Sequence, residues 1–316
     1  MIFQKTIKNE VCAVGVGLHS GEKVTIALKP APNNHGIVFK RVDQKNSPQI
    51  QINPFVVIDT RLSSTIGNEL FKISTVEHLM SALSASGIDN ILVEVTGSEI
   101  PIMDGSAISF IHLIKSSGLQ NQSSPKKFIE IKEMIEVREH DRFARFEPYP
   151  GFMIDFTIDF SHPVFKAADS QVCIDFFKSS YIQDISRART FGFMQEVEYL
   201  RSNGLAKGGS LDNAIVVDEY KIINKDGLRY KDEFVRHKIL DAIGDLYMLG
   251  KPILGKFTAY KSGHDLNNKL IKKVMEKKEA WDITYLDLEK QETSALAKDY
   301  LASKNEFIHK STDVLQ

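Results

Sequence analysis

The sequence predicts an α+β protein made of two pseudo-repeated units, each a two-layer sandwich of a β-sheet covered by helices. Three observations lead there. Short apolar runs of strand length alternate with amphipathic helical patterns along the chain. Two helices share a pattern, Glu77-His78-Leu-Met-Ser-Ala-Leu lining up with Arg236-His237-Lys-Ile-Leu-Asp-Ala-Ile, and each is followed by a short turn and a strand. The 316 residues suit two domains of about 100–200 residues each.

In chain order, residues 24–28 (VTIAL) read as a strand that stops at a proline-containing loop, and 37–40 and 50–52 read as two more. Ser74-Thr75-Val76-Glu77 has the form of a capping box, in which Glu77 would return to the Ser74 backbone. Val76, Leu79, Met80 and Leu83 then keep one apolar helix face. Gly87 and Asp89-Asn90 end that helix. A strand follows at 91–95, and a second helix covers about 107–117. The polar stretch 118–125 ends in proline and is expected to be a linker, dividing the chain into domains 1–124 and 125–281. The second domain is expected to hold strands at 128–131, 143–147, 153–159 and 255–260 and a long helix over 232–249. A further helix over 266–281 would be capped by Asp265. An apolar insert near 186–217 suits either ordinary core or the lining of a channel, and periodicity does not separate the two. Residues 282–316 are weakly periodic and are expected to form a loosely held polar tail.

Composition narrows the function. Forty Lys+Arg against 41 Asp+Glu give a net charge of −1, which argues against a broad nucleic-acid or anionic-membrane footprint. Two cysteines exclude a disulfide framework and a Cys-rich zinc site, leaving oxygen and imidazole as ligands. No apolar run approaches the ~18 residues of a spanning helix, and the first 21 residues lack the features of a secretory signal. A cytoplasmic monomer is the expectation.

The local signal with most chemistry is His237 with Asp241. Residues at i and i+4 share a helix face, so an imidazole and a carboxylate can reach one metal ion. Spacing alone serves a surface ion pair better, but Asp245 extends the polar stripe one turn further along an otherwise apolar helix. His78 with its neighbour Glu77 suits a ligand beside a base, and equally the capping box. His264 lies in a strand-to-helix turn, and His19 in a glycine-flanked one. His35, His112, His140, His162 and His309 have no partner pattern. The glycine-rich segments 15–21 and 207–210 match neither dinucleotide-binding nor P-loop spacing.

Seven segments in order carry a resemblance: Gly15-Val16-Gly17-Leu18-His19-Ser20-Gly21, Ser74-Thr75-Val76-Glu77-His78-Leu79, Gly87-Ile88-Asp89-Asn90, Pro101-Ile102-Met103-Asp104-Gly105-Ser106, Ser186-Arg187-Ala188-Arg189-Thr190-Phe191-Gly192-Phe193, Phe234-Val235-Arg236-His237-Lys238 and Lys261-Ser262-Gly263-His264. Over about residues 1–281 the chain resembles the UDP-3-O-acyl-N-acetylglucosamine deacetylases, zinc amidases that commit bacteria to lipid A synthesis. The resemblance implies one Zn²⁺ per chain on His78, His237 and Asp241, at the interface of the two domains. It implies Glu77 as the base that takes a proton from the attacking water, and Thr190 and Lys238 as stabilisers of the oxyanion. His264, held charged by Asp245, would protonate the leaving amine or stabilise the intermediate. The implied substrate contacts are Phe160, Asp159, Lys261, Arg142, Phe191 and Leu18, with the apolar insert around the acyl chain. Arg142 stands where some relatives have lysine, which changes its donor geometry, and Ser63-Ser64 where some carry cysteine, which puts a thiol role there in doubt. Two other readings compete with this one. A fusion with an acyl-thioester dehydratase is expected to need more chain after Trp281. A nucleotide-sugar sensor would be free to lose Glu77, His264 or a ligand, and all are present.

Overall fold

The computed structural model describes residues 1–68, 70–166 and 169–307; His309 and the end of the predicted tail lie outside the described residues. The first part of the chain forms strands β1 (Phe3–Ile7), β2 (Val11–Val16), β3 (Lys23–Pro30), β4 (Ile37–Arg41), β5 (Gln49–Gln51), β6 (Val57–Asp59), β7 (Thr65–Gly67) and β8 (Lys72–Ile73). Helix α1 (Glu77–Ser86), β9 (Ile91–Val95), α2 (Ile108–Ser117) and β10 (Leu119–Pro125) complete it. Then come β11 (Phe128–Ile131), β12 (Ile135–Glu139), β13 (Arg142–Glu147), β14 (Phe152–Thr157), α3 (Pro163–Lys166), β15 (Gln171–Asp175), α4 (Tyr181–Asp184), β16 (Phe191–Phe193), α5 (Met194–Ser202) and β17 (Ile215–Val217). The chain continues through α6 (Glu233–Leu246), β18 (Ile253–Tyr260), α7 (His264–Glu276), β19 (Trp281–Thr284) and α8 (Ser294–Lys304).

The predicted repeat is present in the sheets. The first sheet runs β2-β3-β9-β4-β5, antiparallel at every step except the parallel β9–β4 pair. The second contains β12-β13-β18-β14-β15, with β18–β14 the one parallel step of that run; β11, also parallel to β18, and β19, antiparallel to β11, extend the sheet. The strand after each of the two matching helices, β9 after α1 and β18 after α6, sits in the middle of its sheet. Alternate residues on these strands are buried, as expected where one face meets helices. One continuous core joins Ile26, Leu79 and Val93 of the first half to Phe146, Ile239 and Phe257 of the second.

Helices α1 and α6 lie against each other within that core. Helix α1 is buried on nearly every side (Ser84 excepted), the pattern of an interior helix. The close approach depends on Gly244: a Cβ there would stand 2.0 Å from the Glu77 carbonyl oxygen. Gly244→Ala must therefore push the helices apart. We expect it to lower unfolding stability by about 1–3 kcal/mol, as overpacking does, and to reduce activity, since His78 and His237 sit on the two helices. Denaturant melts and a rate assay check this; an alanine variant as stable and active as the parent would refute the crossing argument.

Several expectations need correction. The predicted linker, 118–125, is strand β10, paired antiparallel with β1. Its polar side chains escaped a hydrophobic pattern because they bond outward, Gln122 Oε1 accepting from Asn90 and its amide donating to Ala31 O. The capping box does not form: Ser74 Oγ donates to Ser98 O instead, and Thr75 takes a left-handed backbone (φ 57°). Asp265 lies inside the first turn of α7, where Gly263 is the cap, and that helix ends at Glu276, so Trp281 opens a strand. The tail is not loosely held through residue 307: Ala297 and Tyr300 of α8 are buried in a smaller cluster with Ile2, Phe128, Phe177 and Leu254. Among the described residues, no helix is long and apolar enough to cross a membrane.

Candidate metal centre and catalytic site

The crossing of α1 and α6 brings His78 to His237 and Asp241. The imidazole rings meet edge to face with centroids 5.1 Å apart. His78 Nε2 lies 3.5 Å, and His237 Nε2 3.3 Å, from Asp241 Oδ1, and one donor atom from each residue falls within 4.8 Å of the others. All three residues are buried. His237 Nδ1 donates to Ala188 O at 3.0 Å, which leaves the Nε2 lone pair facing the cluster. Burial depresses the His237 pKa to about 3, so its ring is neutral at physiological pH, as a metal ligand must be.

A direct test of fit to a cation lies in Asp241. Its Oδ1 is buried without a hydrogen-bond partner, a costly state for a carboxylate oxygen unless a cation sits there. Its Oδ2 accepts from Lys238 Nζ at 2.9 Å. Burial opposes the charge on Asp241, but His237 and Lys238 outweigh it and hold the carboxyl well below its usual range. Two ligand atoms at tetrahedral zinc distances are about 3.3 Å apart, close to the two separations found here. The residues present fit a zinc ion.

Glu77 and His264 flank this cluster. Released from capping, Glu77 turns its Oε2 to the Ser64 backbone N–H (3.1 Å), while its Oε1 lies 3.8 Å from His264 Nε2. Burial pushes the Glu77 carboxyl up, against the opposing pull of His264 and His78. His264 Nδ1 donates to Asp245 Oδ2 at 2.8 Å. Burial would depress this imidazole, yet Asp245 and Glu77 prevail and raise its pKa to about 9, so it is charged at neutral pH. Thr190 is fixed through its backbone, its N–H donating to Gly105 O and its carbonyl accepting from Ile215 N. Gly105, with φ 80°, is the residue that fits there, for a Cβ would meet Asn213 O at 1.9 Å.

Two cavities are connected to the centre through the Phe191 ring, which packs on His237 and on Phe160. The first, about 300 Å³, is largely apolar; Leu18, Leu62, Thr190, Phe191, Leu200 and Val216 are among its walls. The predicted apolar insert is thus cavity lining as well as core. The second, about 340 Å³, is lined by Asp159, Phe160 and Tyr260 among others. Phe191 links these spaces, its ring edge-on to Phe160 (5.8 Å) and to His237 (6.2 Å), with Lys238 Nζ 5.7 Å from its centroid.

Each of the cationic residues has a carboxylate partner: Lys238 pairs with Asp241, Lys261 with Asp141 (2.8 Å) and Asp159 (2.9 Å), and Arg142 with Glu139 (2.7 Å). Arg142 lines neither of the two cavities. Sequence reasoning gave no positioning role to Ser64, Asn267 or Ala188, which hold side chains of the candidate site through hydrogen bonds. Their types and spacing carry no signal.

Comparison with known proteins agrees with the geometry. The family model described as UDP-3-O-acyl N-acetylglycosamine deacetylase matches residues 4–276. Three relatives named UDP-3-O-acyl-N-acetylglucosamine deacetylase align over most of the chain. That of Teredinibacter turnerae is 54% identical, covering 96% of this chain and 100% of its own. That of Thioalkalivibrio sulfidiphilus is 55% identical, covering 91% and 95%. That of Shewanella violacea is 51% identical, covering 92% and 95%. With a match of this extent, and two histidines and an aspartate gathered where α1 and α6 cross, the chain belongs to the UDP-3-O-acyl N-acetylglycosamine deacetylase family.

Proposed function

We infer that the chain hydrolyses the N-acetyl group of UDP-3-O-acyl-N-acetylglucosamine, giving acetate and UDP-3-O-acyl-glucosamine, the committed step of lipid A biosynthesis. It does so with one zinc ion per chain on His78, His237 and Asp241, as a monomer in the cytoplasm. The ligands are divided between an N-terminal unit, 1–124, and a C-terminal unit, 125–281. The observation that carries this reading is the partnerless buried oxygen of Asp241 between two imidazole nitrogens.

When bound, zinc acts as a Lewis acid toward the amide carbonyl and lowers the pKa of water towards ~7. The protein side chains handle the protons and the charge. Glu77, buried and anchored through one oxygen by Ser64, takes the proton of the attacking water with the other. Negative charge then develops on the former carbonyl oxygen, where the Thr190 hydroxyl, Lys238 and the charged His264 stabilise it. The departing amine receives its proton from His264 or from the protonated Glu77. Asp245 keeps His264 charged and oriented throughout.

The 3-O-acyl chain occupies the apolar cavity against Leu18 and Phe191, and the sugar nucleotide lies toward Asp159 and Phe160. Lys261 and Arg142 exchange their carboxylate partners for phosphate oxygens as the substrate docks. Burying each methylene contributes about 0.8 kcal/mol, so removing the acyl chain is expected to lower kcat/KM by at least about 100-fold. The test is acetate release from the UDP-sugar with and without that chain. An unchanged rate would sink the cavity assignment; no acetate from the acylated substrate would sink the reaction.

A further inference from the structure

We propose that Ser64 is a positioning residue that ties the two proton-handling groups of the site to each other. This rests on the roles given above to Glu77 and His264. Ser64 sits just before β7, in the small sheet of β6, β7 and β8, and is 2% exposed. Every polar group it has is turned to the site. Its N–H donates to Glu77 Oε2 at 3.1 Å, and its carbonyl accepts from Val76 N at 3.3 Å, at the mouth of α1. Its hydroxyl donates to Asp245 Oδ1 at 2.6 Å, across 181 positions of sequence.

The hydroxyl bond completes a set around Asp245. The other oxygen, Oδ2, takes His264 Nδ1 at 2.8 Å and Asn267 Nδ2 at 2.9 Å, and Asn267 is itself held by Ser262 Oγ at 2.6 Å. A carboxylate with donors on both oxygens cannot turn about its terminal bond without losing one of them. Ser64 therefore fixes the plane of Asp245, and with it the direction in which Oδ2 meets the His264 ring. The same residue fixes Glu77 through its backbone. His264 Nε2 and Glu77 Oε1 are thereby held 3.8 Å apart, too far to bond each other and both free to face a reacting group. The 2.6 Å separation calls for an O–H donor; a thiol is a weaker donor with a longer reach.

The discriminating pair is Ser64→Thr and Ser64→Val. Both add the same bulk and both keep the backbone bond to Glu77; they differ in the hydroxyl. We expect Ser64→Thr to keep kcat within about threefold of the parent. Ser64→Val should fall about 10–100-fold below it, the scale of a displaced catalytic group, with KM and bound zinc unchanged. In a His264→Ala background the further change Ser64→Val should alter kcat by less than about twofold, because the group it positions is gone. Should Ser64→Val not fold, Ser64→Ala, which removes the oxygen and adds no bulk, takes its place in both comparisons. Equal kcat for the Thr and Val variants, or an equal drop with and without His264, overturns the proposal while leaving the catalytic assignments intact. Parental turnover in His264→Ala alone overturns those assignments, and the bridge with them.

Discussion

Glu77→Gln is expected to keep the fold and the metal and to lose about 10²–10⁴-fold in kcat, the usual contribution of a positioned general base. Glutamine matches glutamate in shape, and its amide oxygen can still accept the Ser64 N–H that holds the side chain. What it cannot do is take a proton. Its partner atom across the site, His264 Nε2, is 3.8 Å away, so the substitution breaks no hydrogen bond there. Stability should not fall either, because Glu77 is 3% exposed and burial already works against its charge. Single-turnover acetate release, metal analysis and a thermal melt on one preparation separate the outcomes. A Gln variant that turns over within about threefold of the parent would remove Glu77 from the base role. One that loses its metal would show that the carboxylate acts on the ligand set instead.

How far the site was legible in the sequence depended on whether its geometry is local. His237 and Asp241 share a helix face by spacing alone, and the apolar stripe around them made the helix itself easy to read. His78 was ambiguous because the same four residues spell a capping box. Tertiary structure overrides that local rule, since the Ser64 backbone claims the Glu77 side chain and Thr75 takes a strained backbone to release it. The resemblance supplied the grouping; the packing that achieves it, with Gly244 against the Glu77 carbonyl, carries no sequence signature. Strand β10 was missed because an edge strand can be polar on both faces. The helix α8 was missed because only Ala297 and Tyr300 are buried along it, too few for a periodic signal. Ser64 lies beyond any such reading, for its partner Asp245 is on another element and 181 residues away.

Asp241→Asn is expected to abolish metal retention and reduce activity below about 1% of the parent, since a neutral amide replaces the anionic oxygen ligand that zinc favours. The loss has a second component. Lys238 Nζ is paired with Asp241 Oδ2 at 2.9 Å beside the Phe191 ring, and an asparagine leaves that ammonium without its counter-charge. In the metal-free state, however, the same change removes a buried carboxylate oxygen that has no hydrogen-bond partner, which is itself unfavourable to keep. The two effects oppose, so the apo proteins should melt close together while their responses to metal diverge. Zinc at 100 times its dissociation constant stabilises a one-site protein by about 2.7 kcal/mol; the parent should show the rise in Tm that corresponds to it and the Asn variant none. Thermal melts with and without added zinc, on chelator-treated protein, make the comparison. A variant whose Tm rises with zinc as the parent's does would show that Asp241 is not a ligand, and that His78 and His237 hold the ion with some other group.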